Sequence, residues 1–215
     1  MELIGKKINV LGDSITYGVG ASSEETSYVG LLKKEYGEKN VNNYGISGTR
    51  IAKRRVPYTI FPQADQDFLS RIDSMEKDAD LIIVFGGVND YGHGDAFMGE
   101  PNGFDEYTFY GALNSLFKKL YMRYPNSQLL ILTPLHRFEE EKENMLGYKL
   151  EDYVNAIRAR AEKYSVPVLD LYTVSGIYPA DEDLKLMYTI DGLHPNDKGH
   201  NRIFQLLNNY IKNIL

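Results

Sequence analysis

The stretch Val10-Leu11-Gly12-Asp13-Ser14-Ile15-Thr16-Tyr17-Gly18 decides how the chain is read. Ile8, Val10 and Leu11 make the short apolar run that a buried strand requires, and Gly12-Asp13-Ser14 breaks it into a turn. Ser14 therefore stands at the carboxyl end of a strand, the edge of an open α/β sheet at which ligands bind. Taken alone, such a serine is most simply the cap of the next helix. Its meaning depends on what the rest of the chain brings to the same edge.

On the carboxyl side, Tyr28, Val29, Leu31, Leu32 and Tyr36 follow at helical spacing, and Gly37 ends that helix. Val41 to Tyr44 reads as a second strand, left through the turn Gly45-Ile46-Ser47-Gly48. Arg50 to Gln66 lacks periodicity and is expected to be a long loop. Its basic residues Arg50, Lys53, Arg54 and Arg55 read as solvated side chains or ion-pair partners in an acidic protein rather than as an anion site. A helix through Phe68, Leu69, Ile72 and Met75 precedes Leu81-Ile82-Ile83-Val84-Phe85, a run suited to a central strand buried on both faces. Gly86-Gly87 ends it and presents Asn89, and Tyr91 to Gly103 reads as a second irregular loop. A long helix is expected from Phe104 to Tyr124, and a fourth strand from Gln128 to Thr133. The run Glu139-Glu140-Glu141-Lys142-Glu143 reads as a solvated face. A helix through Val154, Ile157 and Ala161, a fifth strand from Val166 to Leu171, a connector from Tyr172 to Ile190 and a closing helix from Asp197 to Ile214 complete the chain.

Strand and helix alternate five times, which predicts an α/β protein: a three-layer αβα sandwich around a five-stranded parallel sheet. In the flavodoxin-like order 2-1-3-4-5, strand one lies between strands two and three. Ser14, Gly48 and Asn89 then gather just beyond their carboxyl ends. No linker, internal repeat or low-complexity segment interrupts the pattern, so residues 1–215 are read as a single domain.

Composition narrows the function. With 30 acidic against 24 basic residues the net charge is −6 and no basic stripe stands out, which argues against a nucleic-acid partner. The absence of cysteine removes disulfides, thiolate nucleophiles and thiolate metal sites together. No apolar run is long enough to span a bilayer, and Met1-Glu2-Leu3-Ile4 enters the first strand without a charged-then-apolar leader. No integral membrane association and a cytoplasmic location are therefore expected.

The far end of the chain changes the odds on Ser14. Asp191-Gly192-Leu193-His194-Pro195-Asn196 sets a carboxylate three residues before a histidine in a turn. Such a turn can fold the carboxylate onto one imidazole nitrogen and leave the other free to take a proton from a serine hydroxyl. His93, His136 and His200 have no comparable carboxylate block and read as surface or loop residues, and Asp13 as turn structure. A metal site built on Asp191 and His194 lacks a second ligand cluster, so no metal or cofactor is expected.

Gly12-Asp13-Ser14-Ile15, Gly45-Ile46-Ser47-Gly48-Thr49, Gly87-Val88-Asn89-Asp90 and Asp191-Gly192-Leu193-His194 occur in this order across nearly the whole chain. Together they resemble the four blocks of the GDSL, or SGNH, hydrolases, a family of serine esterases. The resemblance implies the SGNH-hydrolase fold and a Ser14, His194, Asp191 catalytic triad. It also implies an oxyanion hole made by the backbone N–H groups of Ser14 and Gly48 with the Asn89 side chain. It further implies an ester substrate, taken to be a short-chain, most simply acetyl, ester of a small molecule or saccharide. Tyr17, Tyr58 and Tyr91 are the candidate substrate contacts, since aromatic rings suit sugar faces. Lysophospholipid or thioester hydrolysis stays open, as does the oligomeric state.

Other readings share the sheet. A flavin- or phosphate-binding domain would cradle its ligand on the Gly12 to Thr16 turn, but it has no need of the Asn89 and Asp191–His194 blocks, and neither G-x-G-x-x-G nor a Walker loop is present. A non-catalytic binding domain on the same scaffold would not need every polar group of the four blocks. The G-x-S-x-G elbow of other serine hydrolases is absent.

Overall fold

Every residue of β1 (Ile8–Gly12) is buried, as its apolar run demands of a strand covered on both faces. In the computed structural model, which describes residues 5–215, β1 pairs in parallel with β2 (Val41–Gly45) on one side and β3 (Leu81–Phe85) on the other. β4 (Gln128–Leu132) and β5 (Val168–Leu169) complete a parallel sheet in the order β2-β1-β3-β4-β5, the expected 2-1-3-4-5. The expectation for Met1-Glu2-Leu3-Ile4 lies outside the described residues.

In chain order the helices are α1 (Ser14–Tyr17), α2 (Tyr28–Tyr36), α3 (Phe68–Arg71), α4 (Val88–Gly92), α5 (Phe109–Arg123), α6 (Leu150–Lys163), α7 (Leu171–Val174), α8 (Glu182–Tyr188) and α9 (Asp197–Ile214). Strand alternation sorts the core into two layers. Ile8, Val10, Leu81, Ile83, Leu130 and Leu132 pack with α2 and α9. Leu11, Ile82, Val84, Leu129 and Ile131 pack with α3, α5 and α6. The αβα sandwich follows.

Several boundaries differ from expectation, each for a local reason. α5 starts at Phe109 rather than Phe104, because the Thr108 hydroxyl accepts from the Gly111 N–H and caps the helix there. The helix expected to run through Met75 ends at Arg71 and continues only as a 3₁₀ turn, Ile72–Ser74. β5 spans two residues rather than Val166 to Leu171: Pro167 has no N–H to give a ladder, and Leu171 already opens α7. Tyr91 and Gly92 belong to α4, and the connector from Tyr172 to Ile190 contains α7 and α8. Within the acidic run Glu140 is buried, 7% exposed, and accepts from the Arg137 N–H and the Tyr172 hydroxyl. His200 is buried in α9, not on the surface.

Two strand ends meet the Ser14 turn directly. Gly12 is in register with Gly45 on β2 and with Phe85 on β3, so the three strands stop level with one another. A side chain at Gly45 would run into the α1 backbone at Thr16 and Tyr17, so glycine is needed there for close approach. Gly45→Ala is expected to destabilise the fold by about 1–3 kcal/mol as an overpacked contact between backbones. Urea unfolding reads this as a lower midpoint; an unchanged midpoint would mean that α1 moves aside freely.

Candidate active site

Ser14 opens α1 directly after Gly12 and Asp13, and it is 6% exposed. The Asp13 carboxylate accepts the Ile15 N–H at 3.0 Å and so caps the short helix. First-turn N–H groups have no acceptor within a helix, and with Ile15 taken by the cap the N–H of Ser14 is left at the turn. Burial pushes the Asp13 carboxyl up to about 6, opposed by the Ile15 N–H and by the charges of His194 and Arg71. His200 supports the loop after Ser14 from below: its Nδ1 accepts the Tyr28 N–H at 3.3 Å and its Nε2 donates to the Val19 carbonyl at 3.2 Å. Burial lowers its pKa, which keeps that ring neutral.

The turn before α9 carries the partner groups. Asp191 Oδ1 accepts the N–H groups of Leu193 and His194 at 2.9 and 2.7 Å, folding the carboxylate back over the turn. Asp191 Oδ2 lies 2.7 Å from His194 Nδ1, and His194 Nε2 lies 3.1 Å from Ser14 Oγ. Burial raises the Asp191 pKa, but these hydrogen bonds outweigh it and hold the carboxyl below its ordinary value. A carboxylate only accepts, so Nδ1 carries the ring proton and Nε2 offers its lone pair to the serine hydroxyl. The fold thus joins Ser14, His194 and Asp191 in one hydrogen-bonded series across 180 residues of sequence.

Gly48 sits in the tight turn Ile46 to Thr49, closed by the Thr49 N–H on the Ile46 carbonyl at 3.4 Å. Its φ of +75° lies in the left-handed region that residues with a β-carbon avoid. Asn89, in the first turn of α4, donates one Nδ2 hydrogen to the Thr49 carbonyl at 2.9 Å. A side-chain amide has two such hydrogens, so the second is free to point elsewhere. Asn89 and the Gly48 turn are therefore fixed to each other.

Three supporting groups have no role assigned by the sequence: Arg71 and His136 lie outside the four blocks, and Asp90 stands in one without a function of its own. Arg71, buried at the end of α3, donates to the Gly12 carbonyl at 3.1 Å, the Tyr44 carbonyl at 2.5 Å and Thr49 Oγ1 at 3.0 Å. Burial lowers its pKa to about 10, so it stays charged at neutral pH. Asp90, fully buried beside Asn89, accepts the N–H groups of Ile51 and Ala52 at 3.0 and 2.9 Å, and burial pushes it up to about 6. His136 lies 2.5 Å from Glu140 through Nδ1 and packs on Tyr172, a carboxylate partner that the sequence spacing did not reveal.

The candidate substrate tyrosines separate. Tyr17 and Tyr58 are exposed, 63% and 42%. Tyr58 stacks on His93 and lies under the Arg54 guanidinium. Tyr91 is a correction: it is 7% exposed and donates its hydroxyl to the Lys142 carbonyl at 2.8 Å, so it backs the site instead of lining it. The basic loop is ion-paired, Arg50 and Arg54 to Asp95, Lys53 to Glu106 and Arg55 to Asp105. A surface concavity of about 720 Å³ lies elsewhere, between α3 and α5, and contains none of these groups. Among the described residues no three His, Cys, Asp or Glu side chains cluster closely enough to hold a metal ion, and no helix is long and apolar enough to cross a membrane.

Residues 10–202 match the GDSL-like lipase/acylhydrolase family. Among solved structures, a protein from Lactobacillus plantarum is similar over 100% of both chains, with 32% identity and a TM-score of 0.86. A lipase/acylhydrolase from Enterococcus faecalis shares the fold at 20% identity and a TM-score of 0.67, covering 98% of this chain and 97% of its own. An acetyl xylan esterase shares it at 22% identity and a TM-score of 0.62, covering 95% and 98%. No curated protein gives a significant sequence match.

The buried carboxyls have a measurable consequence. With Asp13 and Asp90 near 6 in the folded state against an ordinary aspartate value of 3.8, the native protein binds more protons than the unfolded chain between about pH 4 and 6. Folding stability is therefore expected to fall as pH rises through that window. Asp13→Asn keeps a capping oxygen and removes one titrating group, so urea unfolding at several pH values should show a flatter slope for the variant. An identical slope would mean that Asp13 titrates as an ordinary carboxyl.

Proposed function

Because this chain belongs to the GDSL-like lipase/acylhydrolase family, we propose that Ser14, His194 and Asp191 are a catalytic triad that hydrolyses carboxylic esters. The observation that carries this reading is the contact of His194 Nε2 with Ser14 Oγ at 3.1 Å while Nδ1 is held on Asp191 at 2.7 Å. Ser14 Oγ forms the bond to the acyl carbon as its proton passes to Nε2. The imidazolium, steadied by ionised Asp191, gives that proton to the departing alkoxide as the ester C–O bond breaks. Water then repeats the sequence on the acyl-enzyme: His194 takes its proton, the acid leaves, and the proton returns to Oγ.

The carbonyl oxygen gains negative charge as the carbon becomes tetrahedral. The N–H groups of Ser14 and Gly48 and the uncommitted Asn89 Nδ2 hydrogen would receive it. Arg71 acts one step back, by holding the carbonyls and the hydroxyl that set the Ser14 and Gly48 turns. Preorganised donors of this kind need no reorientation during reaction, which is where their catalytic value lies.

For the substrate we take a short acyl ester, acetyl in the simplest case, of a small molecule or saccharide. Support comes from the exposed rings of Tyr17 and Tyr58 and from the likeness to a solved acetyl xylan esterase. A p-nitrophenyl ester series of increasing chain length separates this from lysophospholipid hydrolysis, and an acetyl thioester run beside p-nitrophenyl acetate separates it from thioester hydrolysis.

A fluorophosphonate probe should label the wild-type protein and fail to label Ser14→Ala, whose kcat on p-nitrophenyl acetate should fall by a factor on the order of 10⁴–10⁶. Asn89→Ala should keep the label and lose about 10²–10³ in kcat, the effect of one oxyanion donor. Turnover by Ser14→Ala near the wild-type rate would overturn the assignment.

A further inference from the structure

Arg137, in the loop after β4, differs from the arginines of the basic loop. Its side chain has no ion-pair partner and no hydrogen-bond acceptor among the described residues, and its Nε is shielded from solvent without a partner. Only its backbone is committed, through its N–H to Glu140 Oε2 at 2.7 Å. The nearby acids are engaged elsewhere: Glu140 with His136 and Tyr172, and Glu139 with Lys142. The half-buried guanidinium thus has one shielded donor, Nε, without the acceptor that burial of a polar group ordinarily requires, and Nη groups committed to no protein acceptor among the described residues.

Its position is set from both sides. The guanidinium lies over the Tyr91 ring, 5.5 Å from the centroid, and a β-carbon placed on Gly92 would come within 2.8 Å of Nη1. The missing side chain at Gly92 thus makes the room Arg137 occupies. Asn89, Gly92 and His93 stand at helical spacing i, i+3 and i+4, so they share one face of α4. The next residue of the loop, Phe138, donates its N–H to the Gly192 carbonyl at 2.7 Å, two residues before His194. Arg137 therefore stands between the Asn89 face of α4 and the turn that carries Asp191 and His194. On that face His93 accepts from Arg54 Nη2 at 2.5 Å, and burial with the Arg54, Arg50 and Arg137 charges pushes it down to about 4. Arg50 and Arg54 are paired with Asp95 there, so Arg137 is the cation beside this face that no carboxylate neutralises among the described residues.

We propose that Arg137 is the anion-binding residue of the cleft, and that the substrate is an ester carrying a carboxylate or phosphate about one helical turn, ~5 Å, from the scissile carbonyl. This rests on the ester-hydrolase reading and narrows its substrate class. The planar fork of the guanidinium, placed over the Tyr91 ring, suits a bidentate oxyanion. The carbonyl placed near Asn89 and the anion on Arg137 would fix the ester along α4.

The test compares 4-acetoxybenzoate with its neutral methyl ester, and with 4-acetoxyphenyl phosphate to separate carboxylate from phosphate. The preference for either anion, as a ratio of kcat/KM to that of the neutral ester, should fall about 10–100-fold in Arg137→Ala, mainly through KM, and be recovered in part by Arg137→Lys. A ratio that Arg137→Ala leaves unchanged for both anions overturns the proposal. Should the alanine variant not fold, the wild type still decides: benzoate should inhibit neutral-ester turnover competitively and less at high salt, and no inhibition overturns the proposal. Neutral-ester turnover that is lost in Ser14→Ala carries the hydrolase reading independently. Should no ester turn over, that reading fails, while calorimetric binding of benzoate to wild type and not to Arg137→Ala would still uphold the anion site, and absent or equal binding would overturn it.

Discussion

The guanidinium of Arg71 is the constraint on which the site depends. It joins the carbonyls at the ends of β1 and β2 to the hydroxyl of Thr49, and so fixes the Ser14 turn relative to the Gly48 turn. Strand ends are where ladder hydrogen bonds run out, and carbonyls left there need donors. One buried cation meets two of these carbonyls and the Thr49 hydroxyl at once. Parallel strands that end in register place Ser14 and the Gly48 turn close together, and Arg71 removes the freedom the two turns would otherwise keep.

A second buried network extends this order to β3. Asp90 holds the N–H groups of Ile51 and Ala52, while its neighbour Asn89 holds the Thr49 carbonyl. The chain after Gly48 is therefore anchored to α4 at both its carbonyl and its amide side. Burial of Asp90 and Asp13 carries an electrostatic cost that ordinary surface carboxylates do not bear, and rigid polar groups around a reaction centre are a common reason for such a cost. The last element of the order is His200, which ties α9 to α2 and to the loop following α1, and so brings the turn of Asp191 and His194 onto Ser14.

Much of this was legible in residue order. The apolar runs at Ile8, Leu81 and Gln128, the helical spacing from Tyr28 and the long closing helix identify the sheet and its layers, since period and glycine punctuation are local properties. Ser14, Gly48, Asn89, Asp191 and His194 stand in short blocks whose residue types point to chemistry. Arg71, Arg137 and Glu140 stand outside them, and Asp90 stands in one without a signal for its burial. An arginine in a helix, an aspartate after an asparagine or a glutamate in an acidic run has the same local signature whether it is solvated or buried. Tyr91 illustrates the converse: an aromatic beside a site motif looked like a substrate contact, and its ring is packed inward with its hydroxyl on a loop carbonyl.

The sequence by itself determined the element types, the parallel α/β architecture and the residue blocks that mark the family, because hydrophobic period, turn residues and short motifs are written along the chain. Only the tertiary structure decided which charges are paired and which are free. It matched Arg50, Arg54 and Arg55 with carboxylates, buried Glu140 under His136, and left the Arg137 side chain without a partner among the described residues beside the Asn89 helix. The reason is physical: a charge's partner and its exposure to water are set by residues distant in sequence, and no local pattern encodes the dielectric in which a side chain will sit.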